Sequence, residues 1–145
     1  MAVDDAVAAA ARRDREDFDE ATTRLASLDP QQVGLVLGAV VRTLLEDLHP
    51  DGLTGDDVHA VLAGCVRTAG EWFPAVDAHV LLVLLADALD VRDPGDDEHP
   101  PSPLALAQHG PILTADLLAG AGRPLGGYLT ASFAEIARAE TVESP

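Results

Sequence analysis

The clearest structural signal in this 145-residue chain lies in residues 29–50, which read DPQQVGLVLGAVVRTLLEDLHP. Asp29 is a suitable N-cap, Pro30 suits the first helical position, and a helix is disfavoured at the residue before Pro50. Between these limits the apolar residues recur every three or four positions. They are Val33, Val36, Leu37, Val40, Val41, Leu44, Leu45 and Leu48. This spacing predicts an amphipathic helix with one face in a core.

Helical spacing also dominates the rest of the chain, and no segment pairs as a strand. We expect further helices over 2–28, 54–70, 77–89 and about 125–139, with two short ones over 102–110 and 111–118. The fold class is therefore all-α, a helical bundle of about four main helices plus two or three short ones.

Two local features indicate where the core lies. The run from Val80 to Ala86 has no polar residue, which is typical of a helix buried on most sides. We therefore expect this helix to be central. Trp72 and Phe73 occupy the short connection before it, and we expect them to anchor the core.

The chain divides into three parts on these patterns. Residues 1–28 form an N-terminal helix that we expect to be only partly docked. Residues 29–140 form the helical core domain, which contains an acidic, proline-rich loop at 91–103. Residues 141–145 are expected to be a frayed tail.

Composition excludes several classes of function. The chain has 25 acidic and 9 basic residues, for a net charge of −16, and it contains neither lysine nor asparagine. Without lysine there is no Walker-A, Schiff-base or kinase lysine. The strong negative charge argues against binding to nucleic acid or to an anionic membrane.

Composition also suggests a source and a compartment. The absence of lysine and asparagine beside abundant alanine and arginine is typical of a high-GC bacterial genome. Cys65 is the only cysteine, so no internal disulfide can form. The first residues lack the basic region of a signal peptide, and no apolar run reaches the roughly 18 residues of a membrane span. We expect a cytoplasmic protein.

Residues 46–59 suggest a divalent-metal site. Glu46 and His49 are three residues apart, as are Asp56 and His59, and Asp51 lies between the pairs. Helical carboxylate–x–x–His pairs ligate metal in di-iron bundles. Carboxylates are equally expected near helix starts for electrostatic reasons, and the same stretch lacks the bidentate glutamate of a calcium-binding EF-hand loop.

Three further features could carry chemistry. The glycine-rich stretch 120–127 with Arg123 could cradle an anion at a helix N-terminus, but a plain helix–helix turn explains it better. Cys65 falls on an apolar helix stripe, where a buried, inert thiol is expected. His79 has Asp77 near it, and we expect a hydrogen-bonded structural histidine. No catalytic residue is predicted.

The helix predicted between Asp29 and Pro50 also carries a predicted interaction face. Gly34 and Gly38 lie four residues apart, beside Leu37 and Val41. A glycine inside a helix costs about 1 kcal/mol relative to alanine, so two on one face suggest that another backbone comes close. That backbone belongs either to a helix of the same chain or to a second subunit.

From these patterns we expect a small acidic protein that acts by protein–protein interaction, as a regulatory, adaptor or assembly module. Its partner is another protein or, more simply, a second copy in a homodimer. The alternative is a metal-binding helical bundle with its carboxylate and histidine ligands at residues 46–59.

Overall fold

A computed structural model describes residues 2–91 and 100–143 of the chain, with the backbone alone for 140–143. These residues form seven α-helices and no strand, which confirms the predicted all-α bundle. The helices are α1 (Ala2–Arg12), α2 (Arg15–Ala26), α3 (Pro30–Leu48), α4 (Gly55–Gly70), α5 (Ala78–Ala88), α6 (Pro103–Ala121) and α7 (Leu125–Glu143). None of the helices described is both long enough and apolar enough to span a bilayer.

The central helix is α6, and the expectation that the Val80–Ala86 helix is central was wrong. Helix α6 packs against α1, α2, α3, α4 and α5, whereas α5 packs against α3, α4 and α6. Leu81 and Leu85 of α5 are buried, but Leu82 on the same helix is 46% exposed. An apolar run therefore did not imply burial on all sides, because α5 lies at the edge of the bundle.

Helix α6 is also continuous where two short helices were predicted. Pro111 lies inside it and lacks the N–H that would donate to the carbonyl of Ala107. Such a residue normally ends or kinks a helix. Here Pro111, Ile112 and Leu113 are all buried, so packing against the surrounding helices keeps the helix intact.

The predicted single helix over 2–28 is instead a pair of helices that pack on each other and on α6. Arg13 takes a left-handed conformation (φ 57°), and Asp14 caps α2 by accepting a hydrogen bond from the Asp17 N–H at 3.1 Å. Phe18 is fully buried, so this segment belongs to the core and is not partly detached. The break lies where Asp14 interrupts the apolar stripe.

The aromatic anchor predicted between α4 and α5 is confirmed. Phe73 is buried, and its ring lies edge-on to that of Phe18 with 5.5 Å between centroids. Trp72 packs on the same Phe18 ring at 4.9 Å. The connection after α4 therefore ties α2 to the rest of the core.

The ends of the predicted domains need one correction. Helix α7 continues to Glu143, so residues 141–143 are helical and not a frayed tail. Residues 128–144 contain neither glycine nor proline, so nothing in that stretch stops the helix earlier. Residues 92–99 of the predicted acidic loop, and 144–145 of the tail, lie outside the described residues.

Helices α3 and α6 meet at a glycine. A Cβ placed on Gly110 would lie 2.7 Å from Cδ1 of Leu37, which is closer than real contacts allow. Leu37 is itself buried. The absence of a side chain at Gly110 therefore lets α6 lie directly against α3.

A buried histidine fixes the start of α5 on α6. His109 accepts a hydrogen bond at Nε2 from the Asp77 N–H (3.0 Å), and its Nδ1 donates to the carbonyl of Ala105 (2.7 Å). The bond from the Asp77 N–H requires the neutral ring, because a protonated Nε2 cannot accept a hydrogen bond. Burial lowers the pKa of His109, although the Ala105 carbonyl and the Asp77 carboxylate act in the opposite direction.

The close approach of α3 and α6 makes Gly110 sensitive to substitution. We expect Gly110→Ala to lower the free energy of unfolding by about 1–2 kcal/mol, because Leu37 must leave its buried position. Urea unfolding measures this. Gly64→Ala is the control, since its Cβ would meet only Arg67 Nη2 at 4.0 Å. Equal stability of the two variants would contradict the close contact.

The His109 bonds predict acid-sensitive stability. The folded state holds His109 neutral, whereas an unfolded histidine takes up a proton near pH 6.5. Stability should therefore be fully present above about pH 6.5 and decline below it, by at most about 1.4 kcal/mol per pH unit for one proton. Urea midpoints at several pH values test this. His109→Gln should flatten the dependence, while the exposed His59→Gln should not.

Candidate functional site

The four predicted interaction residues line one apolar groove. Gly34, Leu37, Gly38 and Val41 face a cavity of about 80 Å³, whose other walls come from the end of α2, from α5 and from the first half of α6. We call this cavity the α3 groove. Gly110 and Leu37, which set the α3–α6 contact, both contribute to it.

The two glycines of the groove have no neighbour that requires them. A Cβ built on Gly34 or Gly38 meets no atom of the described residues within 4 Å. The sequence left open whether the backbone beside these glycines belongs to the same chain or to a second subunit. Within the described part of the chain, no other helix comes close to them. Gly110 is the opposite case, because its space is filled by Leu37.

The α3 side of the groove carries little charge. The first twelve residues of α3, from Pro30 to Val41, contain no charged side chain. Gln31 and Gln32 are exposed, and Leu35 is 47% exposed. This side of α3 therefore presents a neutral, partly apolar face on a protein of net charge −16.

A second, wider cavity lies on the other side of the same glycines. It measures about 450 Å³ and runs between α3 and α7, with Gly34, Leu35 and Gly38 on one wall. An ion pair between Arg42 and Glu135 lies in its lining and joins the two helices. The exposed edge of α3 is thus flanked by hollows on both sides.

The predicted metal residues are not brought together. Glu46 and His49 line one cavity of about 370 Å³, but Asp51, Asp56 and His59 are exposed and lie outside its lining. Among residues 2–91 and 100–143, no group of three or more His, Cys, Asp or Glu side chains is placed to hold a metal ion. The predicted five ligands are spread over the end of α3, the connecting turn and the start of α4.

The neighbour of His49 is a residue that the sequence pattern did not single out as a ligand. His49 Nδ1 lies 3.7 Å from Oδ2 of Asp57. Asp57 also accepts a hydrogen bond from the Thr54 N–H (2.9 Å), while its own N–H donates to the Thr54 hydroxyl (3.1 Å). These bonds lower the pKa of Asp57. Its carboxylate therefore serves the capping box at the start of α4.

The glycine-rich segment 120–127 is a helix–helix turn. Gly122 takes a left-handed conformation (φ 66°) and ends α6, and α7 begins at Leu125. Arg123 Nη1 lies 3.7 Å from Oδ2 of Asp47, which also accepts a 2.9 Å hydrogen bond from the Tyr128 hydroxyl. Arg123 thus faces a carboxylate of its own chain, an arrangement that disfavours a bound anion.

The structure buries Cys65, as its position on an apolar helix stripe predicted. Cys65 is fully buried on α4, and burial raises its pKa to about 12. It is therefore a neutral thiol at physiological pH, which is the poorly nucleophilic form. Nearby Asp116 contributes to the shift, and sequence reasoning gave that aspartate no role.

Similarity to known proteins does not assign a role to any of these features. The chain matches no family model, no curated protein and no solved structure. What the protein does is therefore inferred from its own residues and their geometry.

The open space beside the groove glycines predicts their effect on stability. We expect Gly34→Ala and Gly38→Ala each to raise the free energy of unfolding by up to about 1 kcal/mol, because alanine is the better helix former and no atom obstructs its methyl group. Thermal unfolding at high dilution measures this. A loss of stability at either position would show that the space is not open.

Proposed function

We propose that this chain is a cytoplasmic, non-enzymatic helical interaction module, and that its α3 groove receives the α3 helix of a second copy. The observation that carries the proposal is the open space at Gly34 and Gly38. The two glycines weaken α3 without serving any contact among the described residues. A partner backbone lying on the groove would fill the open space beside both glycines, and this would explain why neither position carries a side chain.

The neutral surface of α3 favours a second copy over a cationic partner. Two chains of net charge −16 repel each other, so they can meet only where neither presents charge. The segment from Pro30 to Val41 meets that condition. A basic partner would instead be expected to dock on an acidic rim, and among the described residues that line the groove Asp87 is the only charged one.

A two-fold arrangement suits this patch. In a symmetric dimer the same surface is used on both chains, so the glycines of one α3 would face the glycines of the other. Glycine at such a crossing lets helix axes approach to roughly 8 Å, near the lower limit for packed helices. Exposed Leu35 would then be covered by the partner, which supplies apolar burial to the contact.

Light scattering after size-exclusion chromatography tests the proposal. The wild-type protein should have twice the 15.1 kDa mass of one chain at micromolar concentrations. Gly38→Leu should be monomeric, because the added side chain occupies the crossing point. Gly126→Leu is the matched control, since its Cβ also meets nothing within 4 Å but lies on α7, outside the groove.

Salt provides a second, independent readout. A contact between neutral patches on two acidic chains should strengthen when the salt concentration rises from about 0.1 M to about 1 M, because screening reduces the repulsion. A monomeric wild type, or a Gly38→Leu variant that dimerises like the wild type, would refute the proposed interface. A partner held by charge would instead be released by salt.

A further inference from the structure

A separate cavity of about 180 Å³ lies between α1, α4 and α6, away from the α3 groove. Its lining includes the buried residues Ala10, Cys65 and Ile112, while exposed Arg13 and Ala119 also contribute. Most of the lining is small or apolar, since alanines from all three helices contribute. The cavity is therefore an apolar hollow with access to solvent.

Two polar side chains in this cavity have unused hydrogen-bonding capacity. Thr22, Thr43 and Thr114, each inside a helix, donate to the carbonyl four residues earlier. Thr68 lies inside α4 and makes no hydrogen bond to any of the described residues, and the same is true of the Asp116 carboxyl group. Both residues belong to the lining of the cavity.

The surroundings of the Asp116 carboxyl group disfavour its charged form. It is only partly accessible, and burial raises its pKa, although the charge of Arg67 opposes that shift. Among the described residues that line the cavity, Arg13 is the one cation. Its Nη1 lies 2.6 Å from the Glu71 carboxylate, so its charge is already balanced. A cationic group that entered the cavity could therefore pair with the Asp116 carboxylate.

The remaining features of the cavity define which class of ligand would fit it. A carboxylate in an apolar hollow is best stabilised by a charged donor, and an ammonium group can donate to both Asp116 and the Thr68 hydroxyl. Trp72 contributes an aromatic ring to the lining, and aromatic rings also attract ammonium groups. The net charge of −16 concentrates cations near the surface. The volume limits the ligand to a short carbon chain.

We propose that the cavity between α1, α4 and α6 binds a small free primary amine, with its ammonium group on Asp116 and Thr68 and its carbon chain among the alanines and Trp72. Cys65 forms part of the wall and makes no covalent bond to the ligand. The site is independent of the α3 groove and of the proposed dimer.

The fluorescence of Trp72 reports on this cavity directly, because it is the only tryptophan in the chain. We expect n-butylammonium, titrated at constant ionic strength, to change the emission saturably with a Kd on the order of millimolar, as a ligand of five heavy atoms allows. The neutral 1-butanol should bind at least about tenfold more weakly, because it lacks the charge-assisted bond. Equal binding of the two would overturn the proposal, as would no saturable change with the amine.

Substitutions of Asp116 and Thr68 test whether these side chains bind the ammonium group. Asp116→Asn keeps the shape of the side chain and should weaken n-butylammonium about tenfold or more, while Thr68→Val should weaken it by a smaller factor. Asp51→Asn, at an exposed position outside the cavity lining, controls for the lost charge and should bind like the wild type. Unchanged binding by Asp116→Asn would refute the assignment. If that variant does not fold, the comparison of amine with alcohol on the wild type still decides the proposal.

The source of the amine is tested with one more probe. N-acetyl-lysine amide carries the same ammonium group on a peptide-like backbone. We expect it to bind more weakly than n-butylammonium, because its amide groups would have to enter the apolar walls. Equal or tighter binding would overturn the assignment to a free amine.

Discussion

The contact between Gly110 of α6 and Leu37 of α3 is the constraint on which the rest of the structure depends. It lets the central helix lie directly against the helix with the most regular apolar stripe. Once that pair is fixed, α5 is held through the hydrogen bond from the Asp77 N–H to His109, and the α1–α2 pair packs on the same helix. A bulkier residue at the crossing would separate the two helices that order the others.

The two proposed sites lie on opposite sides of α6. Its first half supplies Leu106, Ala107 and Gly110 to the α3 groove, and its second half supplies Ala115 and Asp116 to the other cavity. At 100° per residue these sets face in nearly opposite directions. A single buried helix therefore forms a wall of both hollows, which is consistent with one hollow serving a protein partner and the other a small ligand.

The acidity of the chain has a different meaning at each site. Around the α3 groove the relevant fact is local neutrality, since Pro30–Val41 is free of charge. At the Asp116 cavity, one partly buried carboxyl group stands in apolar surroundings, and the surface charge serves only to attract cations. Net charge by itself thus did not locate a site. The acidic turn at 46–57 places its charges in exposed positions and in the cap of α4.

The sequence by itself determined the all-α class, the bounds of α3, α4 and α5 to within a few residues, and the burial of Phe73 and Cys65. These follow from caps, periodicity and composition, which act between residues near each other in the chain. Only the tertiary structure decided which helix is central, that α6 continues through Pro111, and that Glu46, His49 and His59 do not converge. It also decided that Thr68 and Asp116 share a cavity, because residues 48 positions apart meet only through packing, which sums contacts from several helices and overrides local preference.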